Sequence, residues 1–201
     1  MPLHHTSIPN IICFMSFLRS VISYILDFLE TIVVAVVIFL VLYVFVFQPH
    51  RVQGQSMFPT LHSGEYLLTN KFTYQFEEPR PGDIVVFKAP IHEEYDYIKR
   101  IIAVPGDRVK IIDGKFYVNG YILDESHYLS SSVATNGQRF LQEGMEVIVP
   151  PNSYFVAGDN RSNSSDSRDF GPIAEDKIVG KAWFRYWPPS AFGLIKAQEQ
   201  D

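Results

Sequence analysis

The 201-residue sequence has a single cysteine, Cys13, and no excess of positive charge. With one cysteine, the chain can form neither an intrachain disulfide nor a metal cluster built on cysteine ligands. The formal net charge is −5 at neutral pH, with acidic and basic residues mixed. A basic face that would neutralise a nucleic-acid backbone is therefore not expected, and we predict no nucleic-acid partner. The length suits one globular domain plus an appendage.

Charged residues and prolines are absent from residues 31–47, which read TIVVAVVIFLVLYVFVF. A helix of this length spans roughly 25 Å, and extension back through SVISYILDFLE makes it long enough for a bilayer. A buried core helix or strand fits so many β-branched residues poorly. A cleaved signal peptide also fits poorly, because no small-residue cleavage site follows. We predict three parts: an N-terminal segment (1–20), a transmembrane helix (21–47) and a β-rich domain (48–201).

Beyond residue 50 the sequence shows neither a helical period of useful length nor an internal repeat, which disfavours α/β sheets and solenoids. It consists of short runs of Val, Ile, Tyr and Phe between turn residues. Asp113-Gly114 lies between two such runs, which is a strong signal for a hairpin, and Asn119-Gly120 supplies a second turn. We predict a mostly β domain of antiparallel sheet. The serine-rich residues 124–141 are expected to leave the sheet and to be mobile.

Reactive side chains concentrate in three turn-like stretches: GQSMFPTL around Ser56, YIKRIIAVPGDRV around Lys99, and GDNRSNSSDSRDFG from 158 to 171. Each alone is typical of an ordinary turn, strand or loop. A calcium loop would need an oxygen donor at its third position, a glycine at its sixth and a glutamate at its twelfth. The last stretch has an arginine, a serine and a phenylalanine there. We predict no metal and no cofactor, and pairing of aspartates with arginines inside this loop.

None of the six histidines lies in a motif framed by glycines or turn residues, so the sequence does not indicate a histidine-based catalytic triad. A serine can instead be activated by a lysine that is held neutral. At a reference pKa near 10.4, a lysine is almost wholly protonated at pH 7, and lowering the pKa to about 8 costs roughly 3 kcal/mol. Burial can supply a shift of that size. The neighbours Ile98, Ile101 and Ile102 suit a dry site around Lys99.

In this order behind an apolar helix, the stretches GQSMFPTL, RPGDIVVF, YIKRIIAVPGDRV and GDNRSNSSDSRDFGPI resemble type I signal peptidase. This family consists of membrane-anchored Ser/Lys proteases that remove signal peptides. The resemblance extends from about residue 50 to the closing GKAWFRYWP. It implies a catalytic domain on the exoplasmic side of a cell membrane, which settles an orientation that Arg19 and Arg51 leave tied. Its partners would be signal peptides of preproteins and the lipid bilayer, and we expect a monomer.

The same resemblance assigns roles to individual residues. Ser56 would be the nucleophile, and Lys99 the general base that takes its proton. Ser164 would orient the lysine amine by a hydrogen bond. An ion pair between Asp166 and Arg168 would keep a carboxylate from raising the pKa of the base.

Two further parts of the site follow from the resemblance. The Ser56 N–H would serve an oxyanion hole. Gly54 stands where some family members have a serine donor, so the second donor is left open between a backbone amide and water. Substrate would bind as an extended strand, with small residues in shallow pockets. Candidate pocket walls, each of which is alternatively plain sheet core, are Val52, Met57, Tyr97 and Ile98.

Two rival functions remain beside general removal of signal peptides. One is a maturation protease for a single exported substrate, and the other is an inactive, membrane-tethered β module that only binds exported peptides. Self-cleaving repressors share the Ser/Lys chemistry but carry a DNA-binding domain where this chain has an apolar run. Because Ser56, Lys99 and Ser164 are all present, we expect a membrane serine endopeptidase.

Overall fold

The computed structural model describes residues 8–195 of the chain and divides into two units, Met1–Phe45 and Val46–Asp201. In the first unit a single helix, α1 (Ile8–Phe45), has 38 residues and is therefore about 57 Å long. Its segment Phe14–Val41 has a mean hydropathy of 2.5 and is long and apolar enough to cross a membrane. The helix ends at Phe45, and Phe47, the last residue of the predicted span, lies in the first strand instead.

The second unit is built from short strands, as its alternating apolar runs predict. Within the described residues the helical elements of this unit are α2 (Ser167–Phe170) and 3-10 turns at Thr73–Gln75, Glu175–Lys177 and Pro189–Ala191. The strands in chain order are β1 (Phe47–Arg51), β2 (Tyr66–Asn70), β3 (Ile84–Lys88), β4 (Asp96–Ala103), β5 (Arg108–Ile112), β6 (Lys115–Val118), β7 (Tyr121–Ile122), β8 (Glu146–Ile148), β9 (Ser153–Ala157), β10 (Ile173–Ala174), β11 (Ile178–Trp187) and β12 (Gly193–Leu194).

These strands form two antiparallel sheets, which confirms the predicted mostly β class. The larger sheet has the order β1-β2-β11-β3-β4-β9-β10, with β12 paired to β11, and the smaller has the order β7-β6-β5-β8. The predicted hairpin and the second predicted turn are both present in the smaller sheet, where Ile112 pairs with Lys115 and Val118 with Tyr121. All four turn residues have positive φ, which Asp, Asn and Gly adopt more readily than other residues.

A shared apolar core joins the two sheets. Val109 and Phe116 of the smaller sheet pack in one cluster with Ile102 and Phe155 of the larger sheet. The rings of Phe116 and Phe155 meet edge to face, with centroids 6.1 Å apart. This core fixes β4 and β9, the two strands that lead into the candidate site.

The serine-rich residues 124–141 leave the sheet, as predicted, but they do not form a free excursion. Leu129, Thr135 and Leu141 are buried. Polar residues of the segment have partners on the loop 158–171, which the sequence pattern does not show. The mobility expected of the segment stays a prediction.

The pairing of β4 explains where a cleft opens. Its first half pairs with β3 through Asp96–Arg100, and its second half pairs with β9 from Arg100 onward. Residues 96–99 therefore have a paired strand on one side and an open edge on the other. Strand β1 lies at the end of the sheet and is likewise open on one side. A surface cleft is lined by residues from both edges.

Candidate active site

Ser56 and Lys99 lie side by side, although 43 positions separate them in the sequence. Ser56 is half-buried in the turn that follows β1, and Lys99 is on β4 with 4% of its surface exposed. The Lys99 amine donates to Ser56 Oγ at 2.8 Å and to the Ile98 carbonyl at 3.0 Å. The structure thus brings together the two residues that the sequence predicts as nucleophile and base.

Burial changes the acidity of the Lys99 amine. Desolvation lowers its pKa from 10.5 to about 8, against smaller opposing effects of the Asp166 and Asp159 carboxylates. With a pKa near 8, about one-tenth of the amine is neutral at pH 7, compared with a negligible fraction for a solvated lysine. This amine can therefore accept a proton near neutral pH.

The predicted ion pair between Asp166 and Arg168 is present and fully buried. Arg168 donates from Nε to Asp166 Oδ1 and from Nη2 to Asp166 Oδ2, both at 2.8 Å. Burial alone would raise the pKa of Asp166, but the bonds and charge of Arg168 outweigh it and lower that pKa. A charge-neutral pair thus stands near Lys99 where a lone carboxylate would favour the protonated amine.

A second buried pair, which the sequence analysis missed, has the same geometry. Arg100 donates to the Asp159 carboxylate from Nε at 2.9 Å and from Nη2 at 2.8 Å. Arg100 follows Lys99 on β4, so its side chain points to the opposite face of the strand. Thr60 also donates to Asp159. The position of Arg100 next to Lys99 in the sequence could have indicated a residue close to the site. Its partner, Asp159, is far away in the sequence and is brought to it only by the fold.

From the sequence we expected Arg161 to form an ion pair with an aspartate of its own loop, and this expectation is wrong. Its guanidinium instead binds Glu125 in the serine-rich segment, with Nη1 2.9 Å from Glu125 Oε2. The loop aspartates Asp159 and Asp166 already have Arg100 and Arg168 as partners. This pairing across two segments is the main correction to the predicted site.

Ser164 lies in the site, but it does not make the predicted hydrogen bond to Lys99. Within residues 8–195 its Oγ is buried without a hydrogen-bond partner. It lies close enough to Asp166 to help lower that pKa, although not in hydrogen-bonding geometry. A Cβ at Gly158 would lie 2.3 Å from Ser164 Oγ and 2.4 Å from the Ser56 carbonyl. The sequence analysis missed that only glycine fits at this crossing.

The cleft beside Ser56 has a volume of about 560 Å³ and runs along the open edges of β1 and β4. Val52, Tyr97 and Ile98 line it, where the sequence predicts pocket walls. Met57 does not. It is 1% exposed and packs in the apolar core with Leu61. The turn after Ser56 directs the Met57 side chain inward, so core packing, the alternative given for it, is correct.

The backbone at Ser56 suits an oxyanion hole. No residue in the described part of the chain accepts a hydrogen bond from the Ser56 N–H. Gly54 has φ +88°, a left-handed conformation that favours glycine, and it supplies no side-chain donor.

Among the described residues, 8–195, no group of three or more His, Cys, Asp or Glu side chains is placed to hold a metal ion.

Known proteins of similar sequence identify the family of this chain. A family model described as signal peptidase, peptidase S26, matches residues 25–187. Signal peptidase I of Bacillus caldolyticus is 41% identical over 167 residues, covering 80% of this chain and 91% of the relative. Signal peptidase IB of Staphylococcus aureus (strain COL) is 38% identical over 179 residues, covering 84% of this chain and 92% of the relative. The chain belongs to the signal peptidase family, peptidase S26.

As a member of that family the protein is a serine peptidase, a hydrolase. Among solved structures, the crystal structure of a signal peptidase I from Enterococcus faecalis V583 is 30% identical in sequence. That alignment covers 52% of this chain and 97% of the other, with a TM-score of 0.43.

The lowered pKa of Lys99 has a measurable effect on stability. Below pH 8 both folded and unfolded chains bind the proton, and protonating the buried amine costs the folded protein about 3 kcal/mol. This cost shrinks as the pH rises from about 8 and is absent above about 10.5. We expect the change that Lys99→Met makes in the free energy of unfolding to be more stabilising at pH 7 than above pH 10.5, by roughly 2–3 kcal/mol. The hydrogen bonds of the amine are lost at both pH values and cancel in this difference.

Denaturant unfolding of the full chain in detergent micelles at both pH values measures this difference. Lys115→Met, at an exposed lysine of β6, is the matched control and should show no such dependence on pH. A stabilisation by Lys99→Met that is the same at both pH values would contradict the lowered pKa.

Proposed function

We propose that the protein is a membrane-bound serine endopeptidase that removes N-terminal signal peptides from exported preproteins through a Ser56/Lys99 dyad. The observation that carries this proposal is the 2.8 Å contact between the Lys99 amine and Ser56 Oγ, combined with a pKa of Lys99 near 8. The names of the relatives, signal peptidase I and IB, support the substrate class.

In the proposed reaction, neutral Lys99 accepts the Ser56 hydroxyl proton while Ser56 Oγ attacks the scissile carbonyl. The Ser56 N–H donates to the developing oxyanion, and the second donor is a backbone amide or a water. Protonated Lys99 then gives its proton to the leaving amine, which frees the mature protein. A water attacks the acyl-enzyme with Lys99 again as the base, and this step releases the signal peptide and restores Ser56.

The surrounding polar residues support the base in this proposal. Ser164 Oγ, buried beside the site and unpartnered among the described residues, would accept a hydrogen bond from the Lys99 amine in the substrate complex. The ion pair of Asp166 with Arg168 keeps the nearby negative charge compensated. The hydrogen bond to Ser164 would orient the amine, and the compensated carboxylate would leave burial free to keep Lys99 in the neutral form that the reaction needs.

The cleft suggests how substrate binds. An extended peptide would lie between the open edges of β1 and β4, where main-chain groups are available for pairing. Val52, Tyr97 and Ile98 would form shallow pockets for small residues one and three positions before the cut. The segment Phe14–Val41 would anchor the chain in a cell membrane, with the β domain on the exoplasmic side and the chain acting as a monomer.

The first test is cleavage of a preprotein that carries alanine one and three positions before the cut. We expect wild-type protein to release the mature chain, and Ser56→Ala and Lys99→Arg each to lower the rate by about a thousandfold or more. Both losses follow because one variant has no nucleophile and the other has a base that stays protonated. Sequencing of the product N-terminus measures the site of cleavage.

Matched controls are Ser63→Ala and Lys115→Arg, which change the same residue types at exposed positions and should keep full activity. A preprotein with a bulky residue just before the cut should resist wild-type protein. Undiminished cleavage by Lys99→Arg would contradict the dyad, and binding of preprotein without any cleavage would favour the inactive binding module.

The proposed base also predicts the dependence of the rate on pH. Because only neutral Lys99 accepts the proton, kcat/KM should fall on the acid side with an apparent pKa of about 8. At pH 6 the rate should lie about a hundredfold below its alkaline plateau. Initial rates with the preprotein between pH 5.5 and 9.5 measure this limb. A rate that is constant from pH 6 to 9 is incompatible with Lys99 as the base.

A further inference from the structure

The segment Glu125–Leu141, here called the clasp, lies against the loop 158–171 that carries Ser164 and Asp166. None of the proposed catalytic roles uses this segment. Its polar groups nevertheless bind both buried arginines of the loop and the backbone at Ser164. These contacts with buried groups distinguish the clasp from a loop that only faces solvent.

The first contact of the clasp is with Arg161. This guanidinium is almost fully buried, and it binds the Glu125 carboxylate and, at 2.7 Å, the Thr135 hydroxyl. Its Nε donates to the Gly158 carbonyl at 3.0 Å. Gly158 is the residue whose missing side chain leaves room for the Ser56 carbonyl and Ser164 Oγ. Glu125 thus fixes the loop behind the nucleophile through one arginine.

The second contact of the clasp is with the loop backbone near Ser164. Gln138 Nε2 donates to the Ser164 carbonyl at 3.0 Å. The Arg168 carbonyl accepts hydrogen bonds from the backbone N–H groups of Phe140 and Leu141, at 2.8 and 2.9 Å. The clasp therefore holds the loop on both sides of Asp166.

The loop in turn holds the nucleophile. The Asn160 N–H donates to the Ser56 carbonyl at 3.0 Å, and Asn160 Nδ2 donates to the Gln55 carbonyl at 3.0 Å. Hydrogen bonds thus connect Glu125 and Gln138 to the loop, and the loop backbone carries this connection to Asn160, which binds the turn that carries Ser56.

We propose that Glu125 and Gln138 are positioning residues: they hold the loop 158–171 in the arrangement that keeps Ser56 and Lys99 aligned and dry. The inference rests on the proposed function, because it concerns the same reaction. Loosening the loop would admit water to Lys99, and the pKa of that amine would rise because desolvation is what lowers it. Misalignment of the reacting atoms would lower the chemical rate as well.

The test compares Gln138→Ala with Gln142→Ala in the full chain. Gln138 contacts Ser164, whereas Gln142 is an exposed glutamine four positions further on. We expect Gln138→Ala to lower kcat for the preprotein about tenfold with little change in KM, and to move the acid limb of kcat/KM to higher pH. Gln142→Ala should match wild type in both. Glu125→Gln should act in the same direction as Gln138→Ala and more strongly, because it leaves the Arg161 charge uncompensated.

Thermal unfolding of each variant separates positioning from mere stability. If Gln138→Ala lowers only the melting temperature, and folded enzyme keeps its kcat and its acid limb, the clasp has no role in the reaction and the inference fails. The inference also fails if Gln138→Ala is indistinguishable from Gln142→Ala. Because Gln138 is half-buried at the surface of the fold, this variant stays informative even if Glu125→Gln does not fold. Failure of wild-type protein to cleave would instead overturn the proposed function.

Discussion

The structure depends on one constraint, which is that the Lys99 amine lies in a nearly dry site against Ser56 Oγ. Burial of an amine penalises its charged form, and in this site the penalty is what makes lysine a usable base near neutral pH. The constraint also fixes the electrostatics around it, because any uncompensated carboxylate nearby would restore the charged form. Two carboxylates, Asp166 and Asp159, do lie near enough to raise the pKa of Lys99.

The fold answers this constraint with two bidentate arginine pairs. Arg168 binds Asp166 from within the loop, and Arg100 binds Asp159 from the strand that carries Lys99. All four side chains are buried, and a buried ion pair is tolerated only when its partners are well hydrogen-bonded. A third buried arginine, Arg161, binds Glu125 and so connects the loop to the clasp. The polar loop that reads as an exposed turn in the sequence therefore has both of its arginines in the interior, while Ser162, Asn163 and Ser165 remain exposed.

Some of this was accessible from the sequence and some was not. The Asp-Gly pair predicts its hairpin, and the Asn-Gly pair predicts a second turn, because the turn geometry is local. The motifs around Ser56 and Lys99 predict the pair through the family resemblance, and the ion pair of Asp166 with Arg168 joins neighbours in the chain. The partners of Arg100 and Arg161 lie 59 and 36 positions away, so no local pattern identifies them. The sequence left Met57 open between a pocket wall and the core, because the direction of a side chain after a turn depends on tertiary packing.

The most direct measurement is the titration of the Lys99 amine itself. The full chain, labelled with 13C at the lysine Cε and held in detergent micelles, can be followed by NMR from pH 6 to 12, with Lys99→Arg identifying the resonance. The structure predicts a midpoint of about 8 for Lys99, well below the ordinary lysine value of about 10.4. A Lys99 midpoint at that ordinary value would contradict the neutral base on which the account of the site depends.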